Sequence, residues 1–319
     1  MLPLVSIVSP AYNRASYLNE TIQSVLKQDY LHIEYIVLDD GSTDNTREVL
    51  EKYTGRVIWE THPNMGETRT VNKGFDMAHG EIMAVVNSDD PLLPGAISAI
   101  VERMRADPEL LVVYPDWNMI DESGKLIQHI ATFNYSYRDM LRWHHCIPGP
   151  GTFFRSKVVH NLKGRDPQFR YVGDFDFWLR AGLIGPFARI PKTLACFRWH
   201  AGGESSSAQG IKMAEEHIRL VEKVYSIPNL PKDLLSIKRE AYSSAYYIAG
   251  VVCGNKLTEM RKKYYIRAIT RCPWKYPFEY RERLFVILRE FAGPFYHLSS
   301  LLVAFIGKLK HLIISFFRN

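Results

Sequence analysis

Two stretches of the sequence run from almost unbroken apolar residues straight into paired acids: IEYIVLDD at residues 33–40 and IMAVVNSDD at residues 82–90. Strands of this kind are buried on both faces, the mark of a parallel sheet enclosed by helices. Each belongs to a repeated rhythm of strand, loop and helix. VSIVS at residues 5–9 is a short β-rich run, broken by Pro10 and Asn13 and followed by Leu18, Ile22, Val25 and Leu26 at helical spacing. After the second strand, STDNTREVLEKY opens with capping hydroxyls and an acidic first turn. Residues 56–59 predict a third strand, residues 67–79 a third helix and residues 82–87 a fourth strand, and Pro94 stands where a fourth helix begins. Four such units predict an α/β fold with a Rossmann-like, mostly parallel central sheet flanked by helices. Ligands of these sheets gather beyond the carboxyl ends of the strands, which here carry SPAYN, LDDGS and NSDD.

Beyond residues 112–114 the alternation weakens into a segment rich in Trp, His, Pro and Gly that reaches about residue 203, and from there the pattern is mostly helical. The sequence therefore divides into residues 1–115, 116–205 and a helical C-terminal region, 206–319. Charge divides with it. Residues 206–319 hold 19 Lys and Arg against 9 Asp and Glu, while the whole chain is at +6. A basic tail suits nucleic acid or an anionic membrane surface. Phe295, Leu301, Leu302, Phe305, Ile306, Leu309, Ile313, Phe316 and Phe317 near its end favour the membrane surface, and no nucleic-acid partner is expected. The uncharged stretch LSSLLVAFIG is too short to span a bilayer core, which needs about 20 residues. An amphipathic helix on the inner membrane face and a helix packed on protein both fit it. Four cysteines without a CxxC pair argue against a zinc knuckle, and the amino terminus lacks the marks of a signal peptide, so the expectation is a cytoplasmic protein, with peripheral membrane contact through the tail.

Side by side, Asp89 and Asp90 repel each other. A divalent cation with oxygen ligands, Mn²⁺ or Mg²⁺, relieves that repulsion and can bridge the phosphates of a ligand. A turn before Pro91 with a capping role explains the same letters. LDDGS is equally a strand end with a turn glycine, or a pair of acceptors, Asp39 and Asp40, for a nucleobase or ribose.

PAYNR, LDDGSTDNT, GETRTVNKGF, GEIMAVVNSDDPLLPGA, GTFFR, GDFDFWLR and FRWH occur in that order. Together they resemble the inverting family 2 glycosyltransferases of GT-A fold, over roughly residues 4–200. The resemblance implies a hexosyltransferase-type enzyme with a nucleotide-diphosphate sugar donor, a divalent metal, and a glycan or lipid-linked acceptor, in bacterial cell-surface polysaccharide biosynthesis. Residues 1–115 become the donor-binding half and 116–205 the acceptor-binding half. The resemblance places Pro10, Tyr12 and Asp40 around the base and ribose and Arg69 at the diphosphate. The family's DxD signature falls on Asn87, Ser88 and Asp89. Asn87 replaces the first acid and retains an amide for ribose, while Asp89 binds metal with Asp90 as helper. Asp174 falls at the catalytic base, with Gly173 replacing the acid before it. His200, after FRW, is a candidate metal or phosphate ligand, or a structural histidine. Asp176 reads as a helix cap paired with Arg180, and Phe153, Trp178 and Trp199 as core or as acceptor-stacking rings.

Two other classes compete. A non-catalytic nucleotide-sugar binding protein of the same fold would fit Asn87 and Gly173, but Asp89 and Asp174 are retained. A sugar-phosphate nucleotidyltransferase would need a Gly-rich basic loop after the first strand, which SPAYNR lacks.

Overall fold

The computed structural model describes residues 2–200, 202–203, 210–276 and 279–292. Two compact units emerge, residues 1–137 with 146–207, and residues 138–145 with 208–319. The tail segment on which the membrane-surface expectation rests, residues 293–319, lies outside the described residues.

The first unit opens with the anticipated alternation: β1 (Val5–Ala11), α1 (Ala15–Leu26), β2 (Ile33–Asp39), α2 (Thr46–Glu51), β3 (Ile58–Thr61), α3 (Glu67–Met77), β4 (Ile82–Val85) and α4 (Ala96–Ala106). β3, β2, β1 and β4 are neighbours in that order and all parallel. β1 is buried at all seven positions, as its central place demands. α1 lays Leu18, Ile22 and Val25 against the sheet, each with no exposed surface. Burial of such side chains is worth about 1.5–3 kcal/mol apiece. The third strand begins two residues later than its sequence suggests. Residues 52–57 close a turn through a Thr54–Val57 bridge, and pairing with Ile36 begins only at Ile58.

The second half of this unit departs from simple alternation. β5 (Val112–Ile120) and β6 (Leu126–Ile130) form an antiparallel pair. α5 (Tyr137–Trp143) then passes almost wholly into the other unit. β7 (Phe153–Arg155) inserts antiparallel between β4 and β5, followed by α6 (Ser156–Leu162) and α7 (Gly173–Ala181), and β8 (Phe187–Arg198) returns parallel to β5. The sheet order is β3-β2-β1-β4-β7-β5-β6, with β8 also on β5. Asp116, almost fully buried where β5 shifts register, is clasped by Arg189 at 2.9 and 2.7 Å. Burial alone would raise its pKa, but the bonds from Arg189 and Thr132 prevail and hold it below the usual range.

The second unit is helical: most of α5, then α8 (Gly210–Tyr225), α9 (Lys232–Ser236), α10 (Lys238–Val252), α11 (Thr258–Arg271) and α12 (Arg281–Ala292). Ala241, Ala245 and Ala249 let α10 approach its neighbours closely. A Cβ on Gly250 would stand 2.4 Å from the Tyr265 ring. His144 and His217 are buried with their rings joined by a 2.9 Å hydrogen bond. Among the described residues no helix is long and apolar enough to cross a membrane, and all four cysteines are free.

Candidate functional site

Parallel pairing brings the polar strand ends together. Pro10 and Ala11 lie beside Leu38 and Asp39, and Val8 lies beside Val85. The amides of Asp40 and Val86 extend the ladders past the strand ends, donating to Ala11 O at 2.8 Å and Val8 O at 3.0 Å. The SPAYN and LDDGS loops are stitched to each other. Asn13 Oδ1 accepts the Thr43 and Asp44 amides at 2.8 and 3.3 Å, and the Asn13 amide donates to Ser42 Oγ at 2.8 Å. Gly41 makes this turn possible: its φ is +72°, and a Cβ there would lie 2.8 Å from the Asn64 amide nitrogen.

Asp40 is buried and accepts the Met65 and Gly66 amides at 2.7 and 2.9 Å, so it fixes the loop that leads into α3. Asp39 accepts the Ser42 amide through Oδ1, and its buried Oδ2 has no hydrogen-bond partner among the described residues. Pro10 is buried within β1, whereas Tyr12 is 46% exposed. Arg69 is exposed on the first turn of α3 and lines a cavity of about 310 Å³ with Asn64, Gly66, Phe169 and Arg170.

At the NSDD segment the fold joins residues far apart in sequence. Asp89 Oδ2 stands 3.0 Å from His200 Nε2 and 2.9 Å from Arg14 Nε. His200 also packs against the Tyr17 ring, centroid to centroid 4.8 Å. The 3.0 Å Asp89–His200 contact is a hydrogen bond between carboxylate and imidazole, and the same two groups would serve as ligands of a divalent cation.

Asp90 does not join that pair as expected. Its Oδ1 accepts the Arg198 amide at 2.8 Å and its Oδ2 the Asn87 side-chain amide at 3.1 Å, so both oxygens are engaged within the chain. Burial, reinforced by the charge of Asp89, pushes its carboxyl up to about 8. Among the described residues no group of three His, Cys, Asp or Glu is gathered to hold a metal. Of the expected trio, Asp89 and His200 touch each other, and Asp90 faces Arg198 and Asn87. Asn87 is exposed with its amide turned to Asp90, and buried Ser88 gives its carbonyl to the Thr21 hydroxyl at 3.1 Å.

Sequence reasoning missed the supports of this site. Arg198 is buried; its guanidinium donates to Asp89 O at 3.2 Å and to Glu20 at 2.5 Å, and lies 4.9 Å from the Tyr17 ring centroid. Arg14 additionally donates to Gly202 O at 3.2 Å, tying the first loop to the segment after His200. Both arginines sit inside motif segments, PAYNR and FRWH, and the need of two adjacent acids for counter-charge is the signal that could have singled them out.

Asp174 is exposed on the first turn of α7, where its Oδ1 accepts the Phe175 amide at 2.7 Å. Its charge is felt at Cys146, whose thiol is pushed well above the ordinary value first by burial and then by Asp174. Asp176 is buried and makes the expected ion pair with Arg180 at 2.7 Å, but it does not cap α7, whose N-cap is Val172 without a side-chain cap bond. Phe153 and Trp178 are core residues, and Trp199 is 46% exposed.

Residues 6–162 match the family model described as glycosyl transferase family 2. Chondroitin synthase of Escherichia coli is 28% identical over 250 residues, 76% of this chain and 34% of that protein. Hyaluronan synthase of Pasteurella multocida is 28% identical over 223 residues, 68% of this chain and 22% of that protein. The chain thus spans about a fifth to a third of the length of these relatives. Among solved structures, residues 1–349 of Staphylococcus aureus TarS in complex with UDP-GlcNAc align with TM-score 0.67 at 16% identity, over 91% of this chain and 87% of that one. The mannosyltransferase PcManGT of Pyrobaculum calidifontis, in complex with GDP-Man and Mn²⁺, aligns with TM-score 0.59 at 17% identity, over 96% and 85%. The shared fold is GT-A.

Proposed function

From the premise that this chain belongs to glycosyl transferase family 2, we propose that it transfers a sugar, with inversion and with the help of a divalent metal, from a nucleotide-diphosphate donor to an acceptor hydroxyl in polysaccharide assembly. The observation that carries this reading is the Asp89–His200 pair, 3.0 Å apart beside the carboxyl ends of the parallel strands. Asp89 and His200 would hold Mn²⁺ or Mg²⁺, whose charge offsets that developing on the leaving diphosphate. Arg14 adds a fixed positive charge beside Asp89.

Asp174 is assigned as the base. It takes the proton from the acceptor hydroxyl while that oxygen attacks the anomeric carbon from the face opposite the diphosphate; the bond from that carbon to the phosphate oxygen breaks, and its electron pair leaves with the diphosphate. One displacement inverts the configuration. Asp40, with Pro10 and Tyr12 close by in β1 and the loop after it, is the proposed anchor of base and ribose, with Asn87 and Ser88 beside the ribose and Arg69 at the diphosphate. The synthases among the relatives support a polysaccharide as product, and a glycan or lipid-linked acceptor follows from that.

A thermal-shift screen against UDP-, GDP-, dTDP- and CMP-sugars, each with Mn²⁺, Mg²⁺ or EDTA, tests the reading, because ligands of the native state raise its melting temperature. A shift that needs the metal and one nucleotide class is the expected result. No shift with any pair would overturn it.

A further inference from the structure

In the helical unit, Arg239, Tyr246, Arg267, Thr270 and Arg271 line an open cleft of about 540 Å³. Its lining holds three cations and no acid. Arg267 and Arg271 are one helical turn apart on α11, so their like charges are neighbours and repel. Each lies within cation–π distance of a ring. The Arg267 guanidinium lies 5.8 Å from the Tyr246 centroid, Arg271 lies 5.5 Å from Tyr242 and 5.8 Å from Tyr246, and Arg239 lies 5.6 Å from Trp274.

Four carboxylates of the unit are paired away from the cleft, while Glu215 and Glu222 act electrostatically on Tyr264 and Tyr242 beside it without lining it. Glu240 and Glu279 pair with Arg142, Glu216 with Arg219 and Glu290 with Arg261. Among the described residues none of Arg239, Arg267 and Arg271 has an ion pair. A guanidinium beside a ring and without an acid partner keeps its N–H groups for a ligand, and its fork matches phosphate oxygens two at a time.

We infer that this cleft binds the phosphate of a phosphate ester, with the guanidiniums on the phosphate oxygens and the Tyr246 ring beneath. The inference is independent of the sugar-transfer reading. The phosphate belongs either to an anionic lipid headgroup or to a soluble ester.

Calorimetry with inorganic diphosphate in EDTA, which withholds the cation proposed at Asp89, tests the site. The double variant Arg267→Gln/Arg271→Gln should bind at least about tenfold more weakly than wild type, each lost charge-assisted bond counting for about that much. Its melting temperature should be unchanged, since both side chains are exposed. Lys27→Gln/Lys52→Gln removes equal charge from exposed positions of the other unit and should keep wild-type affinity. Equal affinity in wild type and the arginine variant, or no binding by wild type to diphosphate or to vesicles, overturns the proposal. Co-sedimentation with phosphatidylglycerol and with phosphatidylcholine vesicles distinguishes the sources. Pelleting with phosphatidylglycerol alone that the arginine variant loses assigns a lipid headgroup. Diphosphate binding without such a loss assigns a soluble ester.

Discussion

Gly173 is packed so tightly on Thr68 that a Cβ added to it would lie 2.8 Å from the threonine hydroxyl oxygen. That hydroxyl is held in turn by Phe169 O at 2.8 Å. The place where the family resemblance calls for an acid before Asp174 is therefore filled by a side chain of α3. Gly173→Glu should cost about 1–3 kcal/mol of stability through overpacking. Thr68→Ala in the same chain should recover much of the loss, and melting curves of the two single variants and the double variant measure the coupling. Simple additivity would show that Thr68 is not what excludes the acid.

Asp89 and His200 are assigned to one cation, so each should matter only when metal is present. Asp89→Ala should abolish metal-dependent donor binding, and His200→Ala should weaken it at least about tenfold. Calorimetry with the nucleotide class found in the screen, in Mn²⁺ and in EDTA, reads both. Metal-dependent affinity unchanged in either variant would move the ion elsewhere.

Asp174 is exposed and its role is chemical, so Asp174→Asn should leave melting temperature and donor affinity as they are. Transfer to the acceptor should fall by about 10²–10⁴-fold, the usual worth of a general base. Wild-type turnover in this variant would exclude Asp174 as the base.

The helical unit should lose stability in mild acid. Burial pushes His217 down to about 4 and holds His144 well below the ordinary value. The unfolded chain takes up protons on both below about pH 6.5, the native chain only at still lower pH. Stability is therefore fully present above about pH 6.5 and is lost as pH falls toward 4, with His217 alone responsible for a change on the order of 3 kcal/mol. Melting temperatures between pH 7 and pH 4 should fall less steeply for His217→Gln than for wild type. An equal slope would mean that other groups set the acid limit.

How far the fold could be read follows from how local its causes are. β1, β2 and β4 announce themselves as apolar runs ending in polar loops, because each is buried by its immediate neighbours. β7 has only three residues and β8 carries Pro191 and Lys192 in its middle, so neither has a usable pattern; both exist through pairing with β5, which is distant in sequence. The site divides in the same way. Asp89 is legible from its place after a buried strand, but its contact with His200 closes a loop of 111 residues that only the folded sheet brings together. Arg14 and Arg198 have no periodicity to mark them, and only the counter-charge that two adjacent acids need points to them. Asp89 and Asp90 look alike in sequence, and only the fold distinguishes their surroundings, with Asp90 buried and accepting the Arg198 amide.

The helical unit takes its first eight residues, 138–145, from the middle of the sequence and the remainder from residue 208 onward. Met140 and Leu141, wholly buried, belong to that early portion. Any exchange of this unit between related enzymes must therefore transplant two separate segments at once, since a single crossover near residue 208 would strand a piece of one parent's hydrophobic interior inside the other.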